Sequence, residues 1–402
     1  MITQGKIGAC LCWFLTAYST IVVAESPSGK TESVVKLEMI PQPHQVEYRD
    51  TGYAPSPMTN LYVSDTPADR FAAELLRDAI RGTHGIVCKI ITVPQDSADN
   101  HELTFSEEGV SPAAAPPIPK NQEKEGYSLL IDTPGVRISA LTDTGLFYGT
   151  QTLIQIAEQS RRDNHEFPGL EIIDWPSFAL RGRYFDASQY GGTVVPTKQN
   201  LEREIQLLAR YKMNCLCIDL YNFVSFQSFP YCADENTLSL ADWNYLVELA
   251  RRYHVTIIPS LQSFGQMYQV IWNCEEGKPY REEALPAVIC PSRPENIRFL
   301  QGLYKDLLSV FKYSPYLGIG CSEIFEFPHY CPRCQARIDA GETFKDIYGK
   351  HVQACVKAVE DAAAELGREV RPFMWADVLY MGYGGKRWGG IESMLPQTVM
   401  GH

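Results

Sequence analysis

A chain of 402 residues is long enough for two domains and a large buried core, which excludes a small disulfide-held scaffold. Its net charge of -12 is spread along the chain and no Lys/Arg-rich run occurs, so nothing suggests attraction to nucleic acid or to an anionic membrane surface. A small-molecule site suits this balance better.

At the N-terminus Lys6 precedes an apolar stretch from Ile7 to Ala24 that closes in Val22-Val23-Ala24. A basic residue, an apolar core and small residues at the end read as a signal peptide over residues 1–24, hence export to the periplasm or the exterior, with no stable membrane insertion after cleavage. The rival reading is a membrane anchor, because the run just reaches spanning length. Residues 25–37 are polar and read as a linker.

Residues 38–160 read as a small α/β domain. Strand-like runs at Leu61–Val63, Cys88–Val93, Tyr127–Ile131 and Val136–Ser139 alternate with a helix over Ala68–Arg81, where Phe71, Leu75 and Ala79 recur at spacing four. Ser111 to Lys120, crowded with Ala and Pro, reads as a loop. The domain closes with a turn at Thr142 feeding an apolar helix; Gly145 and Gly149 have the wrong spacing for a phosphate-binding loop, so close helix packing accounts for them better.

From residue 172 to 402 strands and helices alternate. Strands are expected at Phe178–Asp186, Cys215–Leu220, Val255–Ser260, Tyr316–Glu323 and Arg371–Asp377, with a sixth beginning at Leu395–Met400. Helices carry Leu201, Ile205 and Leu208; then Leu240–Tyr253 with Trp243, Leu246 and Leu249 inward; then Pro294–Phe311; and last Ile347–Leu366, ended by Gly367. Such alternation predicts a parallel α/β architecture of the (β/α)8 barrel type, incomplete at its C-terminus after about six strands. In that fold, residues at the C-terminal ends of strands form the mouth where chemistry is done. Glu323 stands at such an end.

The twelve cysteines form no obvious framework. Cys331 and Cys334 make a lone CxxC, and only His329 lies close by in the sequence; a local disulfide or free thiols are expected there rather than a metal, which needs about four ligands.

The residues at the strand ends carry a resemblance. Asp174 to Asp186, Pro259-Ser260-Leu261-Gln262-Ser263-Phe264-Gly265, Cys290-Pro291-Ser292-Arg293-Pro294, Ile319-Gly320-Cys321-Ser322-Glu323 and Trp375-Ala376-Asp377 come in the order found in glycoside hydrolase family 20. The chain resembles these exo-β-N-acetylhexosaminidases from about residue 38 to 402, and within them the hexosaminidase D type. The resemblance implies release of a terminal β-linked N-acetylhexosamine, or a related sugar, from an oligosaccharide or glycoconjugate. No metal and no organic cofactor is implied. A Glu protonates the glycosidic oxygen while the substrate's own acetamido oxygen attacks the anomeric carbon, and an adjacent Asp orients that group; this departs from the two-carboxylate scheme.

Glu323 matches the acid, but Ser322 holds the Asp position, and Gly318 and Gln266 stand where the family has histidines. Serine hydrogen-bonds an amide but does not offset the positive charge of the intermediate, a loss of about 2 to 4 kcal/mol. The alternative is therefore a catalytically weak carbohydrate-binding homologue. A third reading pairs Glu323 with Asp377 or Asp219 in a two-carboxylate mechanism. Arg181, Asp219, Gln266, Trp375 and Asp377 complete the expected sugar-binding set. Arg181 has the rival role of a structural partner to Asp186, Trp375 that of core, and the two Asp residues that of caps or ion pairs.

Overall fold

The computed structural model describes residues 37–94, 101–107, 109, 118–161, 166–187, 197–283, 285–322, 324 and 331–375. The segment expected to be a signal peptide and almost all of the expected linker lie outside them, as do residues 111–117 of the Ala/Pro loop, Glu323, His329, Asp377 and the expected strand at Leu395–Met400.

Seven strands form a first sheet in the order β1-β7-β5-β6-β4-β2-β3, antiparallel except for the parallel pair β2 and β3. They are β1 (Gln45–Tyr48), β2 (Asn60–Ser64), β3 (Ile90–Val93), β4 (His101–Ser106), β5 (Tyr127–Asp132), β6 (Gly135–Ala140) and β7 (Leu170–Asp174). Strands β1, β4 and β7 are additions to the sequence reading. Strand β7 inserts between β1 and β5, so this sheet runs to Asp174, past the expected limit at residue 160.

Helices α1 (Pro67–His84) and α2 (Asp143–Ser160) pack side by side on this sheet. A Thr opens each: Thr66 accepts from the Asp69 amide and Thr142 from the Gly145 amide, satisfying donors that a helix start leaves orphaned. Helix α2 is buried on nearly every side because it also meets the second sheet's first helix. Its two glycines allow close approach to the first sheet: a Cβ at Gly145 would lie 2.9 Å from Ala140 Cβ of β6, and one at Gly149 3.0 Å from the Tyr127 ring of β5.

The second sheet is parallel, in the order β8 (Gly182–Asp186), β9 (Cys215–Asp219), β10 (Thr256–Ser260), β11 (Tyr316–Gly318) and β12 (Arg371–Phe373). Between them run α3 (Lys198–Arg210), α4 (Leu240–Arg252), α5 (Glu295–Val310), and α6 (Pro332–Asp339) with α7 (Phe344–Glu365). Each buries one stripe; on α3 it is Leu201, Ile205, Leu208 and Ala209. Helices α3, α4 and α7 end alike, with Lys212, His254 and Gly367 at φ of 57°, 55° and 66°. The residue after each donates to a carbonyl five back, as Met213 does to Leu208, which closes the helix and aims the chain into the next strand.

Several expected strands are shorter than read, β8 and β11 among them. Strand β8 starts at Gly182, since Phe178 and Leu180 are 73% and 54% exposed and pair with nothing in the sheet. Strand β11 ends at Gly318, because Gly320 and Cys321 turn left-handed at φ of 61° and 59°.

A buried polar knot joins the two sheets. Lys212 Nζ donates to Asp174 Oδ2 at 2.9 Å and to Tyr127 OH at 2.7 Å, and Tyr127 OH in turn donates to Asp174 Oδ2 at 2.9 Å. The His44 amide donates to Asp174 Oδ1 at 3.2 Å. Burial alone would raise the Asp174 carboxyl, but the Lys212 ammonium and these hydrogen bonds outweigh it and hold it below its ordinary 3.8. Asp174 therefore contributes stability that is present above pH 3.8 and lost as the pH falls below it.

Lys212→Met should lower unfolding stability by about 3 to 5 kcal/mol, because it strands a buried carboxylate. Lys212→Met with Asp174→Leu should recover most of that loss, since no charge then stays unpaired. Denaturant melts of the three proteins check this; a single substitution costing less than about 1 kcal/mol would show the knot to be solvated.

Candidate active site

Parallel pairing sets the C-terminal ends of the strands on one level. Asp186 is in register with Asp219, Asp219 with Ser260, Ser260 with Gly318, and Gly318 with Phe373. A hydrogen-bonded line crosses that level. Tyr184 OH and Gln262 Nε2 each donate to Asp219 Oδ2 at 2.8 Å, and Ser322 Oγ donates to Gln262 Oε1 at 3.4 Å. Asp219, Gln262 and Ser322 are all buried.

Burial pushes the Asp219 carboxyl above its ordinary 3.8, and hydrogen bonding from Ser260, Tyr184 and Gln262 works against the rise.

The loops above this level are held in conformations that side chains seldom adopt. Tyr221 after β9, Gln266 after β10 and Cys321 after β11 have φ of 45°, 56° and 59°. Such strain persists only where the surroundings over-determine it, and it collects at functional sites. Tyr221 OH donates to Gln266 Oε1 at 3.4 Å, tying two of the loops together. Half-buried Trp375, two residues past β12, sits edge-on to Tyr184 with ring centroids 4.7 Å apart, and its amide donates to Gly320 O at 3.3 Å.

Of the expected residues, the fold brings Ser322, Asp219, Gln266 and Trp375 to this end of the sheet. Glu323 and Asp377 lie outside the described residues. Arg181 is a correction: it precedes Gly182, at the opposite, N-terminal end of β8. There it pairs with Glu125 at 2.8 Å and donates to the carbonyls of Lys212 and Phe178, which makes it a clamp between the sheets and not a sugar ligand; its ion-pair partner is Glu125, not Asp186. Gly318 has a steric cause, for a Cβ there would lie 2.6 Å from Ser260 Cβ and 2.8 Å from Phe373 Cζ, leaving no room for a histidine.

Tyr184 and Gln262 are site residues that the sequence reading passed over. Their signal was spacing: Tyr184 lies two residues before Asp186 on one strand face, and Gln262 two residues after Ser260. A cleft of about 420 Å³ is lined by Thr256 and Tyr316, the first residues of β10 and β11, and so opens at the opposite end of the sheet.

Ionised Asp219 is disfavoured in the folded state, so its cost is absent below pH 3.8 and grows as the pH rises through the folded value. Asp219→Asn should therefore melt higher than the parent at about pH 7 and no higher at about pH 3. Thermal melts across that range test the sign; an Asn variant that melts lower at both would show that hydrogen bonding outweighs burial.

Comparison with known proteins agrees with this architecture. Residues 36–175 match the family model "Glycosyl hydrolase family 20, domain 2", and residues 178–393 match "Glycosyl hydrolase family 20, catalytic domain". A β-hexosaminidase of Porphyromonas gingivalis is 23% identical over 393 residues, covering 91% of this chain and 46% of that protein. The β-hexosaminidase subunit beta of Sus scrofa is 23% identical over 340 residues, covering 77% and 61%. The chain thus spans less than two thirds of the length of these relatives. Among solved structures, a GH20 exo-β-N-acetylglucosaminidase from Vibrio harveyi in complex with N-acetylglucosamine superposes with a TM-score of 0.67 at 17% identity, over 90% of this chain and 56% of that one. A β-N-acetylhexosaminidase from Bacteroides fragilis gives 0.65 at 17%, over 90% and 68%. These likenesses carry the fold: the parallel sheet β8 to β12, five strands among the described residues, is of the (β/α)8 barrel type, incomplete as expected, and follows a smaller α/β domain. Since the catalytic-domain model alone matches more than half of the residues, the chain belongs to glycoside hydrolase family 20.

Proposed function

We propose that the chain hydrolyses the bond to a terminal β-linked N-acetylhexosamine of a glycan, with Glu323 as the general acid. In this reading Glu323 gives its proton to the glycosidic oxygen, the substrate's acetamido oxygen closes on the anomeric carbon, and Ser322 faces the acetamido nitrogen. Trp375 offers a wall for the sugar ring, and Gln266 and Asp219 polar edges. The relatives named above as β-hexosaminidases support the substrate class.

One observation carries the proposal: the direction of the hydrogen bonds from Ser322 to Asp219. Ser322 spends its only proton on Gln262, and Gln262 gives one of its two amide hydrogens to Asp219. Every donor in the line points toward the buried carboxylate, which leaves the lone pairs of Ser322 Oγ to accept from an amide N–H. Two aligned dipoles polarise that oxygen without placing a full charge beside the substrate. A weakened form of acetamido assistance is the chemical outcome. A carbohydrate-binding homologue is the second reading, and Ser322 itself, with no charge to offer, is the observation that favours it.

Glu323→Gln should cut turnover of a glycoside with a poor leaving group by about 10²- to 10⁴-fold while sparing an activated aryl glycoside more. Equal loss on both would assign Glu323 another role. Ser322→Asp should raise kcat for an aryl N-acetylhexosaminide by about tenfold or more and do nothing for the hexoside lacking the acetamido group. If both stay uncleaved while N-acetylhexosamine still binds in calorimetry, the chain is a binding protein.

A further inference from the structure

All ten cysteines between Cys88 and Cys355 are free thiols, so of the two states expected at Cys331 and Cys334, a local disulfide or free thiols, the structure has the free thiols. The fold brings two further residues to that pair. Cys290 ends the long loop after β10, and Glu282 lies within the same loop, where its amide donates to Val288 O at 2.8 Å. Cys331 caps the start of α6 and Cys334 sits in its first turn. One ligand atom from each of the four residues lies within 4.8 Å of every other, and all four side chains are buried, none more than 2% exposed.

The separations are those of ligands around one ion. Cys290 Sγ is 3.7 Å from Cys331 Sγ and 3.9 Å from Cys334 Sγ. Thiolates at about 2.3 Å from a tetrahedral zinc sit about 3.8 Å apart, whereas a disulfide holds its sulfurs at about 2.05 Å. Glu282 Oε1 is 3.0 Å from Cys334 Sγ. No Lys, Arg or His pairs with Glu282 among the described residues, so its buried carboxylate lacks the cation that such burial calls for. Around the four residues the structure is braced: Asn296 Nδ2 donates to Cys290 O at 2.8 Å, and Ser292 Oγ lies 3.1 Å from Cys334 Sγ. Such outer contacts orient ligands in metal sites.

We propose that Glu282, Cys290, Cys331 and Cys334 bind one zinc ion in a closed tetrahedral site. Three sulfurs select a soft or borderline ion, and four protein ligands leave no position for substrate, so the role is structural. The ion staples the loop after β10, which carries Gln262 and Gln266, to α6, which follows the segment carrying Ser322. This inference stands apart from the glycosidase reading and does not depend on it.

The full chain, purified under reducing conditions and dialysed against metal-free buffer, should retain about one zinc per chain by elemental analysis. Cys290→Ser and Cys334→Ser should each bring it below about a tenth. Glu282→Gln, the gentlest change, keeps the fold while weakening zinc retention against a chelator by about 10-fold or more. Exchange with cobalt should give a thiolate-to-metal charge-transfer band in the parent, which reports ligation even if a serine variant fails to fold. A parent that takes up neither zinc nor cobalt after reduction, or whose Cys290 is found in a disulfide with Cys331 or Cys334 by peptide mass, would overturn the proposal.

Discussion

Parallel pairing from β8 to β12 is the constraint on which the site depends. Because the hydrogen bonds of neighbouring parallel strands fix one register, Asp186, Asp219, Ser260, Gly318 and Phe373 stand on one level with no other choice of partner. Ser260 and Phe373 then occupy the space above Gly318, and Gln262, two residues past Ser260, falls between Asp219 and Ser322. Two of the departures read in the sequence have local surroundings that go with them: no side chain fits at Gly318, and Ser322 is linked through Gln262 to Asp219, two strands away.

The level holds its place because the two sheets are locked behind it. Lys212, aimed inward by the left-handed turn that ends α3, reaches Asp174 and Tyr127 of the first sheet. Arg181 reaches Glu125 from the same end of β8. Both cations therefore work at the N-terminal side of the strands, which leaves the C-terminal side free for chemistry, as the architecture requires. On that side the strained residues Tyr221, Gln266 and Cys321 are held by their neighbours, and the cysteine cluster fixes the loop that carries one of them.

Much of this fold was legible because its helices are amphipathic and its caps are conventional. The stripe Leu201, Ile205 and Leu208 and the inward Trp243 and Leu246 are where the period puts them. Strands were harder. Strand β1 is an edge strand with a mostly exposed pattern, and β8 is exposed at Gly182, Arg183 and Tyr184, so neither shows the run of buried residues that marks a strand in sequence. Arg181 was misplaced for a related reason: a charged residue beside a strand does not reveal which end of it the side chain serves. Tyr184 and Gln262 went unread because their partner, Asp219, is chosen by register across strands and not by neighbours along the chain. The cysteine cluster escaped likewise, since residues 282, 290, 331 and 334 converge only when the loop folds back on α6.

Whether the substrate's acetamido group takes part is the point on which the chemistry turns. The most direct measurement is the ratio of kcat/KM for an aryl N-acetyl-β-hexosaminide to that for the same aryl β-hexoside without the acetamido group, on the unaltered chain. Participation through the polarised Ser322 predicts a ratio above about a hundred, carried by kcat more than by KM. A ratio near one, with both substrates cleaved, would contradict it and assign the displacement to a protein carboxylate.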